Sequence, residues 1–258
     1  MSARRVIATV APKGGIGKTF IAKLLYDLLP SHGRRVAAWD LDAATGTFAV
    51  YHDDIKTFDR NSTQSTYSWL DDCHRDDIDD VLIDVPGGRI DDLLHTFGDN
   101  SVEALVASVS ETGRDLVIVN PIGVMIAETV TAQVTLNAFA GTGARVVVVK
   151  NGRFGSLNDF VIYDGIQIGD ERRYGATGDL AASIGVESVF LNCLSPSLLA
   201  QTDAERLRLI DAAGPTGAQR LGQLGATRVR VYLAAVATDF RGTSLDLDGA
   251  VPQRGLAR

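Results

Sequence analysis

The stretch that decides the fold is residues 12–19, PKGGIGKT, which lies between the apolar run at residues 6–10 and a helix-like segment that begins at Phe20. A strand, a glycine-rich turn ending in Gly-Lys-Thr and a helix form the context of a phosphate-binding loop. Glycines let backbone N–H groups turn towards an anion, and the helix N-terminus adds partial positive charge. Lys18 is suited to neutralise the terminal phosphates of a nucleotide, and the Thr19 hydroxyl to hold Mg²⁺. The stretch therefore predicts a nucleotide-binding site.

The composition predicts a globular protein with a full core, because 45% of the 258 residues are hydrophobic. No apolar run reaches the roughly 20 residues that span a membrane, and the N-terminus lacks a secretory signal, so we expect a cytoplasmic protein. Two cysteines, Cys73 and Cys193, predict neither a disulfide framework nor a zinc site. The net charge of −7 argues against polyanion binding over the whole surface.

Short apolar runs alternate with longer segments of helical period, which predicts an α/β fold with a doubly wound, mostly parallel sheet flanked by helices. We predict strands at 4–11, 34–41, 79–85, 114–120, 144–150 and 187–193, and helices at 18–30, 90–97, 100–110, 123–140, 197–213 and 217–238. Residues 1–258 form a single domain in this prediction. Residues 152–185 make a surface excursion with a short helix inside it, and residues 241–258 a flexible tail.

Two further predicted strands end in carboxylates that would face the crevice at the carboxyl edge of the sheet. The strand at 34–41 runs into Asp40-Leu41-Asp42, and the two aspartates point to the same side because side chains alternate. The strand at 79–85 delivers Asp84 and is followed by Pro-Gly-Gly, which is typical of a Walker B strand with a hinge behind it. We therefore predict that Thr19, Asp40 and Asp84 surround Mg²⁺, although solvated strand ends would give the same pattern.

The loop departs from the general pattern Gly-x-x-x-x-Gly-Lys-Thr, because Pro12 replaces the first glycine and a second lysine, Lys13, follows it. In this it resembles the deviant Walker ATPases of the ParA, MinD and nitrogenase iron-protein types, and the resemblance extends from about Arg4 to the predicted helix at 197–213. It implies an ATP-bound homodimer in which Lys13 contacts the phosphates held by the partner subunit; a solvated loop lysine is the alternative. The residues implied to bind ATP in the loop are Lys13, Gly14, Gly15, Ile16, Gly17, Lys18, Thr19 and Phe20.

The same resemblance implies roles outside the loop. Asp42 would orient or activate the attacking water, so Lys13, Lys18 and Asp42 are the predicted catalytic residues. Asn151 would hydrogen-bond the adenine edge, although the sequence fits a plain turn residue equally well. Residues 189–196 fall where the family closes the base pocket. Switch details cannot be carried over from ParA proteins that continue Asp-Pro-Gln, because Ala43 and Ala44 follow Asp42 here.

The resemblance implies ParA-like partition or positioning of DNA or another cargo. The candidate DNA contacts are Arg206, Arg208, Arg220, Arg228 and Arg230, and a solvated helix face explains them equally well because acidic residues are interspersed.

A second hypothesis is an ATP-switched regulator that docks onto a conjugal transfer apparatus through an unidentified protein partner. It follows from the similarity of Asp40-x-Asp42, Thr47-Phe48, Tyr51 and residues 151–155 to TraL-type ATPases. A dethiobiotin-synthetase-like enzyme is a third hypothesis, which Lys13 disfavours because that branch needs no such lysine. Membrane targeting of the MinD type needs a basic amphipathic C-terminal helix, which residues 243–249 lack, so no membrane partner is predicted.

Overall fold

The computed structural model describes residues 3–41, 48–52, 54–57, 68–87 and 102–248, and a seven-stranded parallel sheet runs through their centre. Its strand order is β3-β2-β4-β1-β5-β6-β9, so the strand that precedes residues 12–19 lies in the middle. The strands are β1 Arg5–Thr9, β2 Val36–Asp40, β3 Lys56–Thr57, β4 Asp80–Asp84, β5 Asp115–Ile122, β6 Arg145–Asn151 and β9 Glu187–Leu191, with a separate antiparallel pair of β7 Ile166–Ile168 and β8 Glu171–Arg173.

The helices of the described residues cover both faces of the sheet. They are α1 Lys18–Ser31, α2 Ser68–Cys73, α3 Val102–Glu111, α4 Ile126–Phe139, α5 Val161–Asp164, α6 Ala176–Ser183, α7 Pro196–Ala204, α8 Leu209–Ala212, α9 Pro215–Arg220 and α10 Gly222–Asp239, with 3₁₀ turns at Ala49–Tyr51 and Leu157–Asp159. The predicted helix at 90–97 lies outside the described residues.

Alternate residues of β1 enter two different hydrophobic cores, as a strand buried on both faces requires. Ile7 packs into the core that contains α1 and α10. Val6 and Ala8 pack into the opposite core with α2, α3 and α4. The predicted doubly wound α/β fold is therefore confirmed.

Two predicted helices are broken in the structure, and contacts to distant segments explain the first break. The predicted helix 197–213 divides into α7 and α8, with Arg206 between them at a φ of 50°. The Leu209 N–H donates to Asp27 in α1 at 2.7 Å, which fixes where α8 begins. The predicted helix 217–238 divides into α9 and α10 at Leu221, next to Gly222 with a φ of 74°.

The segment 241–248 is packed, so the prediction of a flexible tail is wrong for these residues. Leu245 and Leu247 are buried in the core, and the Glu187 carboxylate accepts hydrogen bonds from the Ser244 N–H and hydroxyl. The Arg5 guanidinium donates to the carbonyl of Ser244 at 3.1 Å and to that of Asp246 at 2.7 Å. Residues 249–258 lie outside the described residues.

The excursion at 152–185 contains more regular structure than the single short helix predicted: a 3₁₀ turn, α5, the β7–β8 pair and α6. Within the described residues, no helix has both the length and the apolar character needed to cross a membrane.

Candidate nucleotide-binding site

The loop at residues 10–17 joins β1 to α1 at the carboxyl edge of the sheet, and neighbouring strands fix its start. The Val10 N–H donates to the Val119 carbonyl at 2.8 Å, and the Asn120 amide donates to the Val10 carbonyl at 2.7 Å. Gly17 precedes α1 with a φ of 100°, and a Cβ there would collide with the Asn151 side chain. The N-terminus of α1 therefore lies directly behind the loop, and a helix N-terminus suits an anion.

Lys18 is buried beside this loop and turns back along it. Its Nζ donates to the Lys13 carbonyl at 3.3 Å. Gly87, which follows β4, comes close to the same ammonium: a Cβ there would lie 3.3 Å from Lys18 Nζ and 3.1 Å from the Gly14 Cα. Because Gly87 has no side chain, the segment after β4 can lie close to the loop at Gly14 and Lys18.

Lys13 forms an ion pair that sequence reasoning missed. Its Nζ lies 2.9 Å from Oε1 of Glu128 in the first turn of α4, and the lysine side chain is 44% exposed whereas the glutamate is 8% exposed. The second carboxylate oxygen accepts from the Met125 N–H at 3.2 Å. A glutamate three residues after Met125 is recognisable in sequence as a helix-start residue, but its pairing with a loop 115 residues earlier is not.

Asp84 lies between two hydroxyl groups at the end of β4. Thr9 donates to its Oδ1 and Thr19 to its Oδ2, each at 2.7 Å. Burial raises the pKa of Asp84 to about 6, the two hydrogen bonds oppose the shift, and the nearby charge of Asp40 adds to it. The structure thus places the Asp84 carboxylate against the Thr19 hydroxyl and near the charges of Asp40 and Lys18, so the three residues predicted to surround Mg²⁺ lie in one part of the site.

Asp40 also supports the segment that follows it. Its Oδ2 accepts from the N–H groups of Phe48 at 3.0 Å and Ala49 at 3.1 Å. Asp42, the predicted residue for activating water, lies outside the described residues.

Asn151 lies beside the loop at the end of β6, and both ends of its amide have partners in this chain. Its Nδ2 donates to the Ile16 carbonyl at 2.9 Å, and its Oδ1 accepts from the Arg153 N–H at 3.1 Å. In this arrangement Asn151 braces the loop. Its contact with an adenine edge stays a prediction.

A groove of about 420 Å³ begins at Thr19 and Phe20 and continues along α1 towards Asp27. It is of the size of ordinary small-molecule sites. Thr19 and Phe20 were predicted to bind ATP, and Cys193 and Pro196 belong to the segment predicted to close the base pocket. The other lining residues of α1, α7 and α8 were not predicted for a nucleotide pocket. The lining residues are Thr19, Phe20, Lys23, Asp27, His52, Arg153, Cys193, Pro196, Leu199, Ala200, Thr202, Asp203, Leu207, Arg208 and Leu209.

The far end of the groove is a charge cluster in which Asp27 and His52 are buried and Lys23 and Arg208 are half-buried. The Arg208 guanidinium donates to Asp27 at 2.9 Å and lies over the Tyr26 ring. Burial raises the pKa of Asp27, which Arg208 opposes, and burial lowers the pKa of Lys23 and of His52. This end of the groove therefore favours neutral or paired groups over isolated charges.

Three of the five arginines considered for DNA have partners within the chain. Arg208 pairs with Asp27, and Arg220 pairs with Glu205 at 2.7 Å. Arg230 donates twice to the Ala213 carbonyl, at 2.8 Å and 3.1 Å. Arg206 and Arg228 are exposed. The predicted basic surface is therefore partly neutralised.

Solved structures of similar fold include the following three, each below 25% identity, so they show the fold alone. The septum site-determining protein MinD of Pyrococcus horikoshii, complexed with Mg-ADP, is 15% identical with a TM-score of 0.51, over 90% of this chain and 96% of that one. The MinC:MinD cell division protein complex of Aquifex aeolicus is 12% identical with a TM-score of 0.50, over 89% of this chain and 96% of that one. Chloroplast FtsY of Physcomitrella patens is 13% identical with a TM-score of 0.50, over 76% of this chain and 60% of that one.

A comparison with curated proteins finds no match. The family model of the CobQ/CobB/MinD/ParA nucleotide binding domain matches residues 7–254, a range that starts within β1 and ends beyond α10. The phosphate-loop geometry, the carboxylate at the end of β4 and the parallel sheet agree with that match. The chain therefore belongs to the CobQ/CobB/MinD/ParA family of nucleotide-binding domains.

Proposed function

We propose that this chain is an ATP-binding molecular switch that hydrolyses ATP slowly and dimerises when ATP is bound. The observation that carries the proposal is the division between two lysines of one loop. Lys18 is buried against the loop backbone, where it can serve the phosphates of its own subunit. Lys13 leaves the loop, is 44% exposed and pairs with Glu128, so its ammonium is available to an anion outside its own loop.

Exchange of ion-pair partners would couple this lysine to dimerisation. Glu128 is nearly buried, so separating it from Lys13 leaves a carboxylate with little compensation, which is costly unless another strong contact forms. The triphosphate of a second subunit offers Lys13 such a contact, and only when the two subunits close. The ion pair would therefore hold the nucleotide-free subunit in the monomeric state.

Thr19 and Asp84 are the residues that would hold Mg²⁺. Their side chains already meet at 2.7 Å, and Mg²⁺ needs few protein ligands because phosphates and water complete its shell. Bound Mg²⁺ would neutralise phosphate charge. Asp40 would connect this site to residues 48 and 49, and Asp42 is the proposed residue for orienting the attacking water.

Sedimentation velocity of wild type, Lys13→Ala and Asp42→Ala, with ATP and Mg²⁺, tests the proposal. We expect wild type to dimerise, Lys13→Ala to bind nucleotide as a monomer, and Asp42→Ala to stay dimeric because hydrolysis is lost. Lys56→Ala is a matched control, since Lys56 is 45% exposed and pairs with the buried Asp72 much as Lys13 pairs with Glu128. The proposal would be contradicted if Lys13→Ala dimerised at the ATP concentration at which wild type dimerises. A monomeric wild type that phosphorylates a metabolite would contradict it as well.

The cellular role that the family resemblance supports for this switch is ParA-like partition or positioning of DNA or another cargo. Docking onto a protein apparatus, as in the TraL-like hypothesis, is a second candidate, favoured by the internal partners of Arg208, Arg220 and Arg230. DNA binding measured against salt, with ATP present, separates the two. No affinity near about 50 mM salt would remove the DNA role, because phosphate contacts are strongest at low salt.

A further inference from the structure

Helix α4 exposes an apolar face that has no partner among the described residues. Met125, Ile126, Val130 and Val134 are exposed by between 49% and 62%. From Ile126 onwards they are spaced four residues apart, so they lie along one side of the helix. We call these four residues the apolar stripe. The opposite side of α4 packs into the core through residues that include Leu136 and Phe139.

The helix that carries the apolar stripe is almost free of charge. Glu128 is its single charged residue, and that side chain is turned to Lys13. Helix α10 exposes apolar side chains too, Leu224 and Val231, but in that helix the charged residues Arg228 and Arg230 lie between them in the sequence. Since 22% of the chain is charged, an uncharged helix face needs its own explanation. Apolar surface without charges is typical of surface that another molecule covers.

We propose that the apolar stripe packs against the same stripe of a second copy of this chain in the ATP-bound dimer. This inference rests on the proposed function. A two-fold interface brings one patch against itself, so an uncharged patch opposes no like charges and buries no unpaired ones. The chemistry of the stripe therefore matches its own copy.

The apolar stripe is also continuous with the lysine that is proposed to cross the interface. It begins at Met125, whose N–H donates to one oxygen of Glu128, while Lys13 holds the other. From Ile126 to Val134 it extends for about 12 Å along the helix. A second copy that receives Lys13 at its phosphates would therefore lie close to the stripe.

A membrane surface fits the apolar stripe less well. Helices that lie on membranes carry lysine and arginine on their polar side, and residues 126–139 contain neither. A different protein partner could cover an apolar face, but nothing would then tie its binding to Lys13. These occupants become outcomes of the experiment.

The test compares Val130→Asp and Val134→Lys with Val231→Asp, a control whose side chain is 64% exposed on α10. Sedimentation equilibrium with a non-hydrolysable ATP analogue and Mg²⁺ gives the dimer Kd, and a fluorescent nucleotide gives the affinity of the monomer. We expect both α4 variants to weaken the dimer at least tenfold, because each buries a charge twice. Thermal unfolding and monomer affinity should match wild type, and Val231→Asp should dimerise normally.

Failure of this inference is distinguishable from failure of the proposed function. If wild type dimerises and Lys13→Ala does not, while Val130→Asp and Val134→Lys dimerise like the control, the switch stands and the apolar stripe belongs to another partner. If wild type stays monomeric with the analogue, the switch and this inference both fail.

Discussion

The two ends of the candidate nucleotide site are built in different ways. The phosphate end, residues 13–19 with Asp84, comes from one contiguous loop and the adjacent strand, and its main side chains are already paired: Lys18 with a loop carbonyl, Thr19 with Asp84. The proposed base end, the groove of about 420 Å³ bounded by Arg153, Cys193 and α7, is assembled from distant segments. The difference teaches that affinity should be concentrated at the phosphate end, where charge is fixed before the ligand arrives.

The largest effect should come from Lys18→Ala, compared with Arg153→Ala at the base end. Loss of a buried ammonium from the phosphates should weaken nucleotide binding by about 100-fold, because charge-assisted contacts are the strongest available. Arg153→Ala should cost less than about tenfold, since it lies at an open groove. Isothermal titration calorimetry with ATP and Mg²⁺ measures both. Equal losses of affinity in the two variants would show that the two ends contribute equally to the free energy of nucleotide binding.

Asp84→Asn should stabilise the nucleotide-free protein while removing the response to Mg²⁺. The pKa of Asp84 is raised to about 6 from 3.8, so the folded protein binds the proton more tightly than the unfolded chain does. Its ionised form therefore destabilises the fold above about pH 6, and wild-type stability should increase as the pH falls from 6 towards 4. At pH 8 the variant should be more stable by about 1–3 kcal/mol.

Urea unfolding of wild type and Asp84→Asn at pH 8 and pH 5, with and without Mg-nucleotide, checks this prediction. The gap between the two proteins should narrow at pH 5, and only wild type should gain stability from Mg²⁺. A variant that is less stable at pH 8 and keeps its Mg²⁺ response would show that Asp84 serves the fold rather than the phosphate end.

The smallest effect should appear at the base end, in the reactivity of Cys193. This half-buried thiol lines the groove, whereas Cys73 is buried and has a pKa raised by burial to about 12. Alkylation near pH 8.5 should therefore modify Cys193 first, although burial raises its pKa as well. Bound nucleotide should slow that reaction several-fold without changing Cys73.

Mass spectrometry of the alkylated protein distinguishes the two sites, and Cys193→Ser identifies the faster signal. An unchanged Cys193 rate at saturating nucleotide would mean that the groove is not the base end.

The phosphate end could be predicted from sequence because its parts are close in the chain or end consecutive strands. Gly17, Lys18 and Thr19 are set by spacing alone, and Asp84 follows from an apolar run that ends in a carboxylate. The hidden partners are the ones far apart in sequence. Glu128 is 115 residues from Lys13, and Asp27, which fixes the start of α8, is 182 residues from Leu209. Local patterns contain no information on such pairs, so tertiary contacts decided them.

The same distance effect explains why the predicted helix 197–213 and the predicted flexible tail were wrong. Local propensity continues a helix through Arg206, but the contact of Leu209 with Asp27 requires a break. Residues 241–248 are polar and glycine-containing, yet Leu245 and Leu247 are buried in a core that also contains Ile7 and residues of α1 from the beginning of the chain. The parallel sheet could be predicted from the alternation of strands and helices, whereas the contacts between the N-terminal strand and residues 244–246 could not.

The contacts of Arg5 with the carbonyl groups of residues 244 and 246 also affect the order in which the protein can fold during synthesis. Arg5 stands in the strand that leads into the phosphate loop, holds Asp80, and also donates to carbonyl groups at residues 244 and 246. During synthesis, those two carbonyl groups leave the ribosome more than two hundred residues after Arg5 does. The strand that bears the loop therefore acquires these bonds only after residue 246 has been synthesised, and a chain cut short before residue 244 leaves a buried guanidinium without them.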